Sequence, residues 1–244
     1  MRAPLLSLRG VSKSYWRGPH ELTVLADLSL DVHVGELVAV WGRRGAGKTT
    51  LLRIAAGLET LNTGVVRFEG EDLSTFSESA HARLMREQVG WVGRGGPRSE
   101  LTMIDYVALP LLIEHGRRRA HARASDALKQ VGMSDCSDQR WADLSDGERA
   151  LVGIAHGIVR RPRLMLIDDP TANLGVIERE EVVQLLRSLV EETSLAVLMT
   201  VPDMPTAMRS HQLTALSGGR LLVPAPAPEH EGNVIDFPGS ERSA

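Results

Sequence analysis

The chain has very few cysteines and aromatic residues, and it has no long apolar run. Among its 244 residues Cys136 is the only cysteine, which excludes an internal disulfide and a cysteine-based zinc site. Aromatic residues make up 4% of the chain, so a core must consist mostly of Leu, Val, Ile and Ala. The longest apolar runs, at 107–113 and 164–167, are far shorter than the roughly 20 residues of a membrane helix. We therefore expect no membrane span.

Net charge is also small, at −3, which predicts no strong attraction to nucleic acid or to anionic lipid. The one basic run, Arg117–Arg119, has two interpretations: a weak nucleic-acid signal or a solvated helix face, and we favour the second. Lysine is rare, since only Lys13, Lys48 and Lys129 contribute to the 28 basic residues. The composition thus predicts a globular protein without a nucleic-acid partner.

Hydrophobic periodicity predicts alternating strands and helices, the pattern of an α/β fold with a mostly parallel sheet. We expect strands at 5–12, 22–34, 37–41, 65–68, 89–92, 164–167 and 195–200. We expect helices at 49–56, 103–131 with a break near Gly116, 145–159 and 176–192. From Pro224 the sequence is rich in Pro and Ala and then polar, so 224–244 is predicted to be a disordered tail.

A glycine-rich segment follows the apolar strand at 37–41 and matches the phosphate-loop pattern G-x-x-x-x-G-K-[ST]. Its residues are Gly42, Arg43, Arg44, Gly45, Ala46, Gly47, Lys48 and Thr49, followed by Thr50. Glycines let backbone N–H groups surround phosphate oxygens, and a helix N-terminus adds a positive dipole end. The lysine reaches the β- and γ-phosphates, while the threonine hydroxyl ligates Mg²⁺. This segment predicts nucleotide binding.

Two carboxylates end the apolar strand at 164–167. Asp168 is placed to hold magnesium beside the phosphate loop. Asp169 would then face the γ-phosphate and position the attacking water. A strand that simply ends in a polar Asp-Pro turn, without a metal site, would have the same sequence. The phosphate loop in the same chain favours the metal site.

With these two motifs, the segment Leu144-Ser145-Asp146-Gly147-Glu148 resembles the signature of ATP-binding cassettes of ABC systems. The resemblance covers about 5–223 and implies a P-loop NTPase core, an N-terminal antiparallel β subdomain and a helical signature subdomain at about 95–160. The resemblance further implies that 1–223 is the nucleotide-binding domain. The segments 11–15, 107–113 and 169–174 resemble the branch that serves lipoprotein-releasing, macrolide-efflux and cell-division complexes.

The resemblance implies that two cassettes, identical or different, pair head to tail around two ATP molecules with Mg²⁺. Tyr15 would stack on adenine, while Ser145 and the Gly147 N–H would bind the γ-phosphate of the ATP held by the partner. Glu148, in the same segment, is also counted among the nucleotide-binding residues. The partner in the membrane would be a permease that docks on 103–131. The chain would therefore sit peripherally on the cytoplasmic face of the cell membrane.

Several positions depart from the family pattern. Asp169 stands where the family has Glu, Arg94 where it has Gln, and Pro202 where it has the switch His. Asp is one methylene shorter than Glu, Arg has no acceptor for magnesium, and Pro has no side-chain donor. Asp146 replaces the first signature glycine, and Gly175 replaces an Asp. We therefore predict that ATP binding is kept and hydrolysis is weakened. The alternative is drift with compensation, in which linked changes such as Arg44 with Gly175 preserve turnover.

Two functions remain open at this point. The first is a transport ATPase bound to a permease. The second is a regulatory or mechanotransmitting subunit that dimerises on ATP and turns over little.

Overall fold

The computed structural model describes residues 3–93, 95–97 and 100–222. The predicted tail 224–244 and the predicted site residue Arg94 lie outside the described residues. The strands are β1 (Leu6–Arg17), β2 (His20–Val32), β3 (Leu37–Trp41), β4 (Thr63–Phe68), β5 (Glu71–Asp72), β6 (Val89–Val92), β7 (Leu164–Asp168), β8 (Ala196–Val201), β9 (Gln212–Ser217) and β10 (Arg220–Leu222). The helices are α1 (Lys48–Ala55), α2 (Glu78–Glu87), α3 (Met103–Ala108), α4 (Leu112–Gln130), α5 (Asp146–Ile158), α6 (Val176–Thr193) and α7 (Met204–Ala207).

The strands form two sheets. A four-stranded antiparallel sheet has the order β2-β1-β4-β5, and a six-stranded sheet has the order β10-β9-β3-β8-β7-β6. The larger sheet is parallel except for β10. Strands β7 and β8 are buried along their whole length, as expected when both faces of a parallel sheet are covered. The predicted α/β fold with an antiparallel N-terminal part is confirmed.

The larger sheet lies between two apolar layers. Strand β3 shows this division, because Leu37 and Ala39 pack into one cluster while Val38 and Val40 pack into the other. The first cluster contains the buried faces of α3–α6, and the second contains α1 and the antiparallel sheet. The alternation of side chains along a strand thus joins both layers into one core.

Helices α3, α4 and α5 pack on one another and form the helical part of the fold. The predicted break in 103–131 is confirmed at Gly116, whose φ of 68° and ψ of 162° are not helical. A second interruption is the 3-10 turn Leu109–Leu111, which contains Pro110. No helix in the part of the chain that the structure describes is long and apolar enough to cross a bilayer.

The first two strands differ from their predicted bounds. Strand β1 continues to Arg17 because its pairing with β2 resumes after register shifts between Leu8 and Ser14. These irregularities interrupt the alternation of apolar and polar residues, so the pattern ends before the strand does. Helices α2 and α7 and strands β5, β9 and β10 were not predicted.

Candidate nucleotide-binding site

The phosphate loop connects β3 to α1 at the carboxyl edge of the parallel sheet. Gly47 is the N-cap of α1, and its φ of 100° lies in the left-handed region that favours glycine. A Cβ on Gly47 would lie 2.8 Å from Val24 Cγ1, so a side chain there would collide with β2. The loop also turns through a bond from Ala46 N–H to the Arg43 carbonyl, 3.1 Å. The backbone therefore brings the N-terminus of α1 directly to the loop.

Lys48 lies inside this loop. Its residue is 6% exposed, and Nζ donates to the carbonyls of Gly42 at 2.5 Å and Arg43 at 3.3 Å. Gly42 is equally constrained, because a Cβ there would lie 2.6 Å from the Leu216 carbonyl oxygen. The ammonium is thus held where a phosphate group enclosed by the loop would meet it.

Thr49 and Asp168 meet across the sheet edge. Thr49 Oγ1 donates to Asp168 Oδ2 at 2.7 Å, and Asp168 is 5% exposed. A hydroxyl and a carboxylate are oxygen ligands of the kind Mg²⁺ prefers, and Mg²⁺ is commonly held by one or two carboxylates together with phosphates and waters. No cluster of three or more His, Cys, Asp or Glu side chains that could hold a metal occurs among the described residues. The pair therefore fits a magnesium ion that is shared with a phosphate ligand.

Asp169 has a fixed backbone at the end of β7. Its φ is 55°, and its N–H donates to both the carbonyl oxygen and Oγ1 of Thr200 at 3.1 Å. Pro202 comes directly after β8, the strand that neighbours β7, and it is exposed. Both residues line the same cleft, but Pro202 offers no side-chain hydrogen bond to it.

The cleft has a volume of about 900 Å³ and joins the phosphate loop to the helical part of the fold. Eight of the predicted site residues line it: Arg44, Gly45, Gly47, Lys48, Thr49, Thr50, Asp169 and Pro202. Eight others lie outside its lining: Tyr15, Gly42, Arg43, Ala46, Ser145, Gly147, Glu148 and Asp168. Sequence reasoning did not find Trp141, Arg149 and Gly153, which also line the cleft. Their side of the cleft is built from the helical part. The i,i+3 spacing of Arg149 from Asp146 is a sequence signal that could have found Arg149, but Trp141 and Gly153 lie outside the recognised motifs.

Tyr15 lies in β1 and is 37% exposed. The Lys13 ammonium lies 4.8 Å from the centroid of the Tyr15 ring, and it also pairs with Glu59 at 2.9 Å. This contact with Lys13 lowers the pKa of Glu59. The ring is therefore held in place by a cation that is itself anchored.

The predicted signature segment forms the N-terminus of α5. Ser145 is the N-cap: its Oγ accepts from Glu148 N–H at 3.2 Å, and Ser145 N–H donates to Glu148 Oε2 at 2.8 Å. This reciprocal pair is a capping box, and its bonds from the Ser145 backbone and side chain lower the pKa of Glu148. At Gly147 a Cβ would lie 3.1 Å from Glu178 Oε1, so the start of α6 adjoins this turn.

Asp146 carries a negative charge at this helix end, and a cation in the same chain balances it. Arg149 donates to Asp146 Oδ1 at 3.0 Å and to the Trp141 carbonyl oxygen at 3.1 Å. The guanidinium is thereby fixed beside the carboxylate, with both residues on the cleft. The charge of Asp146 is therefore paired within the chain.

The family model described as ABC transporter matches residues 25–172. The lipoprotein-releasing system ATP-binding protein LolD of Pseudomonas syringae pv. tomato is 36% identical, over 89% of this chain and 97% of the relative. LolD 2 of Caulobacter vibrioides is 35% identical, over 91% of this chain and 98% of the relative.

A solved dimeric structure, the ATP-binding cassette MJ0796 in a post-hydrolysis state bound to ADP and Pi, is 26% identical with a TM-score of 0.79. The match covers 88% of this chain and 96% of the MJ0796 chain. These likenesses extend over both sheets and the helical part. The chain therefore belongs to the ABC transporter family and is an ATP-binding subunit.

Proposed function

We propose that this chain binds Mg-ATP between its own phosphate loop and the signature turn of a second cassette, and that the resulting dimer drives or gates a membrane permease. The observation that carries the proposal is the 2.7 Å bond between Thr49 and Asp168, directly beside the buried Lys48. It joins a phosphate-binding loop to a metal-holding carboxylate. The second cassette can be another copy of this chain or a different one.

Thr49 and Asp168 would hold the magnesium ion of Mg-ATP. When bound, Mg²⁺ would neutralise phosphate charge at this edge of the sheet. Lys48 and the backbone of the loop would bind the phosphates, and Tyr15 would carry the adenine on its exposed ring face. Arg149 would keep the Asp146 charge from opposing the triphosphate of the partner.

Hydrolysis is proposed to be slow. Asp169 is one methylene shorter than Glu, and its backbone is held by Thr200, so the main chain is not free to advance the carboxylate. Pro202 lines the cleft and has no donor for the γ-phosphate. Arg94, which would stand in for Gln, adds a cation without an acceptor.

Pro202 also favours the second candidate function, a regulatory or mechanotransmitting subunit with little turnover. With no donor at this position, ATP would act mainly as a link between two cassettes. Binding and dimerisation would then transmit the signal, and hydrolysis would only reset it.

The partner in the membrane is proposed to be a permease, since the relatives are named as ATP-binding proteins of lipoprotein-releasing systems. The segment 103–131 is the proposed contact. Ile113 at the start of α4 is 98% exposed and Leu109 in the preceding turn is 41% exposed, which gives apolar surface for a partner helix. Such a subunit would lie on the cytoplasmic face of the membrane.

The test is dimerisation and membrane recovery of the full chain. Size-exclusion chromatography with Mg-ATP should give a dimer, and Lys48→Ala should abolish it. The exposed Lys129 provides the matched control, because Lys129→Ala removes the same charge on α4 and should leave the dimer intact. Recovery from membranes together with a permease should also fall when Ile113→Asp is introduced. A chain that stays monomeric with Mg-ATP and purifies without a membrane protein contradicts the proposal.

A further inference from the structure

Thr200 is a polar residue in a strand of otherwise apolar side chains. It lies near the end of β8, whose sequence is Ala-Val-Leu-Met-Thr-Val, and it is 0% exposed. The sheet pairs it with Asp168 on β7 and with Val40 on β3. A valine would fill the same space without a buried hydroxyl, so the hydroxyl itself calls for an explanation.

That hydroxyl makes two bonds at the candidate metal site. It donates to Asp168 Oδ1 at 2.9 Å and accepts from Asp169 N–H at 3.1 Å. The other oxygen of Asp168, Oδ2, accepts from Thr49 Oγ1 at 2.7 Å. Each oxygen of the Asp168 carboxylate therefore accepts a hydroxyl, one from the phosphate-loop side and one from β8. Two bonds to opposite oxygens fix the plane of a carboxylate.

We propose that Thr200 is a positioning residue of the magnesium site. It orients the Asp168 carboxylate so that Oδ2 faces Thr49 and the phosphates, and it ties that carboxylate to the backbone of Asp169. The inference rests on the proposed function, because it assumes that Thr49 and Asp168 hold the metal of Mg-ATP. Groups that orient a metal-holding side chain commonly change metal affinity by about 10- to 100-fold when they are removed.

The effect is expected to be specific to the metal. Thr200→Val keeps the shape of the side chain, and Asp169 N–H keeps its bond to the Thr200 carbonyl oxygen. The hydroxyl bonds to Asp168 Oδ1 and to Asp169 N–H, which are both outside the phosphate loop, so nucleotide binding without magnesium should persist. What changes is the part of the affinity that magnesium adds.

The experiment measures the dissociation constant of a fluorescent ATP analogue on the full chain, once in excess Mg²⁺ and once in EDTA. The ratio, which is the dissociation constant in EDTA divided by the dissociation constant in Mg²⁺, reports how much the metal adds to the affinity. Thr200→Val should reduce this ratio by about tenfold, or to unity if the wild-type ratio is smaller. Thr200→Ser, which keeps the hydroxyl, should retain most of it.

Thr214 gives a matched control in the same sheet. It is 5% exposed on β9, pairs with Val40 on the other side of β3, and its hydroxyl donates to the Leu222 carbonyl oxygen at 3.2 Å. Thr214→Val also removes a buried hydroxyl, but this hydroxyl has no bond to Asp168, so the wild-type ratio should remain. Thermal unfolding of all variants confirms that they are folded.

The outcomes separate the two proposals. A wild-type chain whose ratio exceeds one, together with an unchanged ratio in Thr200→Val, overturns the role of Thr200 and leaves the magnesium site intact. An equal fall of the ratio in Thr200→Val and Thr214→Val also overturns the role of Thr200, because any buried hydroxyl of the sheet would then have the same effect. A wild-type chain that gains nothing from Mg²⁺ contradicts the proposed function and, with it, this inference.

Discussion

Lengthening one side chain, in Asp169→Glu, tests the proposed cause of slow hydrolysis. The change adds one methylene, about 1.5 Å of reach. The backbone of Asp169 is held by two 3.1 Å bonds to Thr200 and by a left-handed φ of 55°, so the main chain does not make up the shortfall. A displacement of about 1 Å can change a rate by about 100-fold. We therefore expect phosphate release at saturating Mg-ATP to rise by about 100-fold.

The assay is steady-state phosphate release by the purified chain, with Lys48→Ala subtracted as background. Equilibrium binding of the ATP analogue should not change, because in the proposed site residue 169 would face the attacking water rather than the adenine or the phosphate loop. Asp169→Asn is the matched control: it keeps the length of Asp and removes the charge, and should lower release further. If Asp169→Glu releases phosphate no faster than the wild type, the length of this side chain is not what limits turnover.

Three further predictions follow from contacts at and near the cleft. Arg149→Ala removes the guanidinium that now lies 3.0 Å from the Asp146 carboxylate, so ATP-driven dimerisation should weaken by up to about fivefold. Adding Asp146→Gly should restore it. Unchanged dimerisation in Arg149→Ala would mean that Asp146 points away from the partner. Burial lowers the pKa of His156 below its ordinary 6.5, so its contribution to the free energy of unfolding is complete above that pH and is lost as the pH falls below it. Denaturant unfolding from pH 7.5 to 5 should show this slope, and His156→Phe should flatten it; an equal slope in both contradicts the assignment. Gly42→Ala puts a Cβ 2.6 Å from the Leu216 carbonyl oxygen, so titration with the ATP analogue should show an affinity lower by at least about tenfold. Unchanged affinity would show that the loop tolerates the side chain.

Sequence alone predicted the parts of the site that are local in the chain. The phosphate loop has a fixed spacing, and its strand and helix appear as β3 and α1 within one residue of the predicted bounds. The carboxylates at 168 and 169 could be placed because the carboxyl ends of parallel strands meet at one edge of the sheet. The capping box at Ser145 and Glu148 was not predicted, although its spacing is one that a sequence shows directly.

Contacts between distant segments could not be predicted in the same way. Thr200 reaches Asp168 across 32 residues of chain, and only the pairing of β7 with β8 brings them together. Helix α2 was missed because it is largely polar, although Ser77 before it is an N-cap whose Oγ accepts from Ala80 N–H. The pairing of Asp146 with Arg149 has helical spacing and could have been found from the sequence.

The central claim is that this cassette binds ATP and hydrolyses it slowly. The most direct measurement takes one sample of the full chain and determines both the bound Mg-ATP at equilibrium and the rate of phosphate release. We predict saturable binding that Lys48→Ala abolishes, with release well below about one per second, at the low end of ordinary enzyme turnover. A rate of several per second that disappears in Lys48→Ala would contradict the account.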